Sequence, residues 1–399
     1  MASIARKNLI EDIPRFLVAQ AGIMFAVCLV TIQTGLQYGF ARSSSLLIDR
    51  SQADIWVASK NMVHLGLTLP ISYERVSEAR EVEGVDIAEG VIVRGDAWHQ
   101  EQSDEISSIT IIGAAPEGLL FSSTPIIQGS FSELKEPYNV ITDKSNLKSL
   151  NVKQVGDFGT INTIPAHIVG LTEGTQSIVF GNILFTSLES ANAYINIRSA
   201  NKRLVRDDNS KPTAAPRAIT ATDPITFVLI RAKPGENIEK LRRRIEEALP
   251  NTRAYTREEM ALQTQIYWQE RSGIGFILGL GAVVGVLVGI VVVGQILYAS
   301  VSDRIKEFGT IKAMGASDWF IYRAIMEQGL WMAILGYVPG MALCLGVAAW
   351  TAQTQGITIL ITPASAIAVF GITAAMCIGS AIFAIQKVTR VDPAIVFKG

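Results

Sequence analysis

The chain has 399 residues, with 35 Lys and Arg against 36 Asp and Glu for a net charge of -1; 49% of it is hydrophobic and 18% is charged. A soluble domain carries about 25% charged residues, and here the shortfall is concentrated, because residues 16–41, 272–302 and 328–386 hold no Asp, Glu, Lys or Arg. About 20 apolar residues span a bilayer as a helix, so the first two runs hold one span each and the third holds two; this excludes a soluble enzyme, a disordered chain and a nucleic-acid binder, which needs a basic surplus.

The chain opens on a cytoplasmic head, residues 1–15, with Arg6, Lys7 and Arg15. Span one, residues 16–41, is longer than the ~7–15 apolar residues of a signal peptide and no A-x-A site follows it, so it reads as an uncleaved anchor. Residues 42–271 form an extracytoplasmic α+β domain. Span two is 272–301, a cytoplasmic loop follows at 302–323, span three is 324–353, span four is 364–386 after the corner at Pro363, and the tail is 387–399. The fold class is therefore an α-helical membrane protein of four spans with an α+β domain inserted between the first and second. Basic residues set the orientation. The head, the 302–323 loop with Arg304, Lys306, Lys312 and Arg323, and the tail with Lys387, Arg390 and Lys398 lie in the cytoplasm of a plasma (inner) membrane, with the large domain outside.

In the outer segment, Ala53-Asp54-Ile55-Trp56-Val57 reads as a strand, and Ser72 caps a helix over 73–81. Strands follow at 86–93, 107–113, 138–142, 165–171 and 179–185, separated by Gly, Pro, Asn and Asp. Ser187 precedes a helix over 188–195. Ile225–Ile230 is the clearest strand, and Pro234–Asn237 turns into a helix over 238–249 that presents Ile238, Leu241, Ile245 and Leu249 on one face, with Arg242-Arg243-Arg244 on a solvated side. Residues 199–224, polar and Pro-bearing, read as a surface loop, with a partner-contact arm as the functional alternative.

Enzymatic signatures are missing from the sequence. No Lys follows a Gly, so there is no G-x-x-x-x-G-K-[ST] loop to cradle phosphates. His64, His99 and His167 lie far apart and read as loop or surface residues, and there is no G-x-S-x-G elbow. No metal site and no catalytic residue is expected. The spans carry no charge apart from Glu327 at one end, which argues against an ion path. Cys28, Cys344 and Cys377 fall in the apolar runs and read as small packing residues. Gln20, Gln33, Gln37 and Gln295 are placed to bond between helices, and Gly281, Gly285 and Gly289 recur every fourth residue, a spacing that lets helices approach closely, within one subunit or across a dimer.

The loop Ser302–Ser317 is the most distinctive local sequence. Ser302 is placed to cap a helix, Ile305, Phe308 and Ile311 form an apolar stripe, Gly315 ends it, and Ser317 starts the next helix. Such a helix lies on lipid or inserts into a partner's groove.

Arg304-x-x-Glu307-x-Gly309-x-x-Lys312-Ala313-x-Gly315-Ala316-Ser317 resembles the coupling-helix motif of the MacB/LolC/FtsX family of ABC permeases, and Arg390-Val391-Asp392-Pro393-Ala394 resembles that family's C-terminal signature. Gly22-Ile23-x-Phe25-Ala26, Gln33-x-Gly35 and 53–57 are most similar to DevC-type permeases of cyanobacteria. The resemblance implies a homodimer with an ABC ATPase docked on Arg304, Lys306, Glu307, Phe308, Gly309, Lys312, Ala313, Gly315, Ala316 and Ser317. ATP and Mg are then bound by the partner and not by this chain. It further implies a periplasmic membrane-fusion protein, an outer-membrane channel beyond it, and export of a lipid, glycolipid or similar envelope substrate. The alternative within the family is an FtsX-like signalling regulator of a cell-wall hydrolase; a membrane-anchored enzyme with its site in 42–271 has no motif in its favour.

Overall fold

The structure, a computed structural model, describes residues 13–100, 105–196, 215–271, 273–303, 317–354 and 359–389, together with Glu307, Thr310 and Met314. The chain divides into two compact units, Met1–Gly39 with Gly273–Gly399, and Phe40–Ser272.

The first unit is helical. Four helices are long and apolar enough to cross a membrane: α1 (Ile13–Arg50), α6 (Ile274–Asp303), α7 (Asp318–Thr354) and α8 (Pro363–Thr389), numbered with the helices of the second unit between them. Their shared core holds Ile23, Ala26, Val27, Val293, Leu297, Met332, Ala333, Met376 and Cys377. Cys344 and Cys377 are fully buried in it, as small packing residues. Pro339 stands inside α7, where its missing N–H leaves the carbonyl one turn earlier without a helical partner. Tyr337 beside it donates its hydroxyl to the Ala366 carbonyl at 2.9 Å, tying α7 to α8. The start of α8 follows the rules for helix ends. Thr362 Oγ1 accepts the Ser365 N–H at 3.1 Å, and Pro363 fills the first helical position.

Helix α1 does not stop near Ala41 but runs on to Arg50. Ala41, Ser44, Ser45 and Ile48 recur at helical spacing and are all buried, so the extra turns are amphipathic and hold their place by packing. Ser51 ends the helix by donating its N–H (3.1 Å) and its hydroxyl (2.8 Å) to the Ile48 carbonyl.

The second unit is α+β. Strand β1 (Ile55–Ser59), helix α2 (Glu74–Glu81), strand β3 (Val85–His99), strand β11 (Phe227–Ala232), helix α4 (Ile238–Ala248) and strand β12 (Thr252–Thr256) form a β-α-β-β-α-β set. Their order across the sheet, β12-β1-β11-β3, is antiparallel throughout, the ferredoxin-like split βαβ arrangement. Both faces of this sheet are covered. Ile55 and Val57 of β1 join Val228 and Ile230 of β11 under Val76, Leu241 and Ile245 of the two helices. Trp56, Ala58, Phe227 and Leu229 turn to the other core, with Met260 and Ala261 of α5 (Arg257–Ile266). Burial on both faces explains why these strands read as unbroken apolar runs and not as alternating ones.

Everything between β3 and β11 is an insertion: β4 (Ile106–Ala114), β5 (Ile126–Gln128), β6 (Asn139–Asp143), β7 (Phe158–Ile161), β8 (Ile164–Thr172), β9 (Asn182–Ser187), α3 (Leu188–Ile195) and β10 (Pro224–Ile225), the last paired with the short β2 (Ile71–Ser72). Strand β3 serves both parts. Its residues Val85–Val91 pair with β11 and Ile92–His99 with β4. The inserted sheet continues through β9, β6, β8 and β5, with β4–β9 and β6–β8 parallel.

Several local expectations are corrected. Ser72 does not cap α2, because it is bridged to Pro224. The first helical N–H groups are taken by main-chain carbonyls instead, Tyr73 N–H to Asp223 O at 2.9 Å and Glu74 N–H to Ala221 O at 2.8 Å. Asp54 lies outside β1 and accepts the Ala232 N–H at 2.8 Å. The 225–230 run is divided at Thr226, whose hydroxyl accepts the Val93 N–H at 2.9 Å. Ser187 caps α3, as its position before the helix indicates. Of the 199–224 loop, residues up to 214 lie outside the described residues; in the remainder Arg217 pairs with Asp223 at 2.5 Å.

Candidate functional site

Two places carry the functional expectations, the packed face of α6 and the segment between α6 and α7.

On α6, an added Cβ at Gly281 would meet the Gln33 amide at 2.6 Å, one at Gly285 would meet Leu29 Cδ2 at 2.9 Å, and one at Gly289 would meet Met376 Sδ at 2.2 Å and Ala26 Cβ at 2.9 Å. The three glycines thus face α1 and α8 of the same chain. Gly336 and Gly340 of α7 similarly abut Ile23 and Val27 of α1, whereas Gly279, Gly371 and Gly379 have open space. The opposite side of α6 is bare: Phe276, Ile277, Val284, Leu287 and Val291 are exposed, as lipid-facing residues are. Gln33 fills the Gly281 contact. Gln20, 8% exposed, makes no hydrogen bond through either amide atom, so the expected interhelical bond from Gln20 does not form.

Between α6 and α7, Arg304, Lys306, Phe308, Gly309, Lys312, Ala313, Gly315 and Ala316 lie outside the described residues. Glu307 and Thr310 are helical and exposed. The Met314 N–H donates to the Thr310 carbonyl at 3.0 Å. Ser317 is exposed and immediately precedes the first residue of α7. Met314 is 75% exposed, and Trp319, the second residue of α7, is 67% exposed. Neither is singled out by the sequence, since Trp319 belongs to the apolar run Trp319-Phe320-Ile321 and Met314 follows the stripe Ile305, Phe308 and Ile311.

Among the described residues no group of three or more His, Cys, Asp and Glu could hold a metal ion. His99 and His167 are strand residues, in β3 and β8. His64 is buried, 6% exposed, and stacks on Tyr267 at 4.2 Å with Trp268 edge-on at 5.2 Å. Its Nδ1 accepts the Gly66 N–H at 3.1 Å. Burial pulls its pKa down to about 4, so it is a neutral packing group at pH 7. Glu89 is held above the usual carboxylate range by burial, partly offset by the Leu119 N–H that it accepts at 2.8 Å. The Arg run of α4 is engaged on its own surface, Arg242 with Glu239 at 2.9 Å and Arg244 with Glu236 at 2.6 Å.

Comparison with known proteins gives two family matches: a MacB-like periplasmic core domain over residues 16–248 and an FtsX-like permease C-terminal domain over residues 279–393. The macrolide export ATP-binding/permease protein MacB of Agrobacterium fabrum is 23% identical over 280 residues, covering 69% of this chain and 39% of that protein. The pyoverdine export ATP-binding/permease protein PvdT of Pseudomonas savastanoi pv. phaseolicola is 23% identical over 286 residues, covering 67% and 40%. The probable syringafactin export ATP-binding/permease protein SyfD of Pseudomonas syringae pv. syringae is 21% identical over 192 residues, covering 48% and 27%. The chain therefore spans at most two fifths of the length of these relatives. Among solved structures, the periplasmic region of MacB from Actinobacillus actinomycetemcomitans aligns with a TM-score of 0.36 and 9% identity over 53% of this chain and 92% of that one.

Proposed function

Since the chain belongs to the ABC permease family built from a MacB-like periplasmic core domain and an FtsX-like permease C-terminal domain, we propose that it is the permease subunit of an export complex. In this reading it hydrolyses nothing itself. A P-loop ATPase on another polypeptide docks on the 302–323 loop from the cytoplasm, and its nucleotide cycle moves the spans. The periplasmic domain changes shape in response and hands a lipid, glycolipid or similar envelope substrate to a membrane-fusion protein, with an outer-membrane channel beyond. Two copies of the chain act as a homodimer over two ATPase subunits.

The observation that carries this reading is the pairing of both permease domains in one chain. The uncharged spans and the exposed Met314 and Trp319 support it. So do the relatives, all three of which are named for export, of macrolide, pyoverdine and syringafactin. Those names differ in cargo, and the envelope-lipid assignment rests on the DevC-like motifs alone.

The test is co-purification of the full chain with a P-loop ATPase from membranes. Glu307→Lys or Gly315→Trp is expected to abolish it. Retained binding in both variants refutes docking on this loop. Export is tested separately: deletion of the protein should change the envelope lipid composition, whereas unchanged lipids with altered septation or wall cleavage would make the protein a regulator.

A further inference from the structure

Helix α1 carries a scale for height above the membrane. Its charge-free run ends at Ala41, and Arg42 is exposed; each further residue rises about 1.5 Å. Beside this end of α1, α5 runs back in the opposite direction. Arg257 donates to the Ser51 carbonyl at 3.4 Å, Gln265 donates to the Ser45 hydroxyl at 2.7 Å, and Trp268, just beyond α5, meets the Phe40 ring edge-on at 5.9 Å. Trp268 therefore stands at the height of the last charge-free residues, and Gln265 about 6 Å above them.

The loop after β1 is fastened to that same stretch. Leu65 donates its N–H to Thr264 Oγ1 at 3.3 Å, the Val63 carbonyl accepts from the Gln263 amide at 3.5 Å, and His64 lies against Tyr267 and Trp268. A tight turn follows, in which Leu67 donates its N–H to the His64 carbonyl and accepts the Val63 N–H, both at 2.9 Å. Gly66 is braced from another side by Phe180, whose Cε1 would lie 2.9 Å from an added Cβ. The turn leaves Leu67 and Leu69 outside, 51% and 55% exposed. The headgroup region on each side of the hydrocarbon is about 5–7 Å thick, which matches the height at which the loop is held.

An exposed leucine alone signals nothing; here height and composition agree. Residues 61–73 hold no Asp, Glu, Lys or Arg. His64 is neutral at pH 7, because burial pulls its pKa down to about 4. Tyr267 and Trp268 are the residue types that collect at a membrane surface. Ile266, 41% exposed, adds a third apolar side chain at the same height.

We propose that the 63–69 turn is a lipid contact, with Leu67 and Leu69 entering the boundary between headgroups and acyl chains in the leaflet on the side of the α+β unit. Phospholipid is the occupant because the surface lies at the height where the charge-free band of α1 ends and the bilayer's own boundary begins. The contact gives the ferredoxin-like sheet a foothold on the leaflet through β1, the strand that the turn follows. It does not depend on the export reading; a signalling protein would carry the same foothold.

The experiment uses the full chain in nanodiscs of phosphatidylcholine with tritiated acyl chains. The photoreactive p-benzoyl-phenylalanine replaces Leu67, Leu69, Phe276 or Gln52, one at a time. Phe276 is an exposed residue of α6 and reports full lipid contact. Gln52 is exposed and follows α1 about 15 Å above Ala41, so it reports water. After irradiation, tritium bound to the chain is counted. The probes at 67 and 69 should capture lipid about tenfold more than the probe at 52, as side chains resident in the boundary, and approach the probe at 276. All four positions are exposed, so the unfolding midpoints should match wild type and a low count will not be a loss of fold. Capture at 67 and 69 no higher than at 52 overturns the lipid contact. A crosslinked pair of chains in place of a lipid adduct overturns it in favour of a second copy.

Discussion

The Gln33 side chain of α1 occupies the place where Gly281 of α6 would carry a Cβ, its amide nitrogen 2.6 Å from that point. The glycine row of α6 therefore makes close contacts with α1 and α8 inside the subunit.

Substitution on that row should destabilise the helical unit. Gly289→Val pushes against Met376 and Ala26 and is expected to cost about 1–3 kcal/mol, the usual range for overpacking. Gly379→Ala, which faces open space, should stay within about 0.5 kcal/mol of wild type. Thermal unfolding of detergent-solubilised protein distinguishes them; equal midpoints for the two variants would contradict the packing described.

His64 sets a pH dependence. Its folded pKa is about 4 and the unfolded value about 6.5. Above pH 6.5 both states hold a neutral ring and the group contributes nothing to the slope. As pH falls from 6.5 to 4 the unfolded state takes up the proton first, so stability declines, by on the order of 2 kcal/mol once partial screening is allowed for; below 4 the loss levels off. His64→Asn, which keeps an acceptor for the Gly66 N–H, should flatten the decline in unfolding midpoint between pH 6.5 and 4. A slope identical to wild type would assign the effect to other groups.

Trp98 depends on Gly159. The indole is buried and donates Nε1–H to the Leu150 carbonyl at 3.0 Å, and a Cβ on Gly159 would come within 2.3 Å of its ring. Gly159→Val should expel the ring from the core, costing about 3 kcal/mol or more, with a red-shifted tryptophan emission. Unchanged emission would show that the core can yield there.

Thr256 begins α5 with a capping box: its hydroxyl accepts the Glu259 N–H at 3.2 Å, and Glu259 accepts the Thr256 N–H at 3.0 Å. Thr256→Ala should cost about 1 kcal/mol and Thr256→Ser almost none. Denaturant midpoints in which the serine variant is as weak as the alanine one would point to lost methyl packing in place of the cap.

Much of the architecture is legible in the sequence because its signals are local. Charge-free runs mark the spans, Ser187 before an apolar-periodic run marks α3, and Leu241, Ile245 and Leu249 mark the buried face of α4. The misses arise where partners are remote in sequence. The start of α2 is satisfied by carbonyls of Ala221 and Asp223, which no window around Ser72 reveals. The extension of α1 to Arg50 rests on buried small residues, Ala41, Ser44 and Ser45, that register weakly on any hydropathy count. Strand β12 is short and mostly polar and gives little local signal, whereas Thr256-x-x-Glu259 is a sequence-level capping signal for α5.

Strand β3 also constrains how the α+β unit can deform. One continuous run of 15 residues is stitched to β11 along its first half and to β4 along its second, with no loop in between to act as a joint. The ferredoxin-like part and its insertion cannot swivel independently without breaking backbone ladder bonds. Heat, denaturant or a pulling force should therefore melt them in one transition, and any displacement delivered to one part must reach the other through the same stiff ribbon.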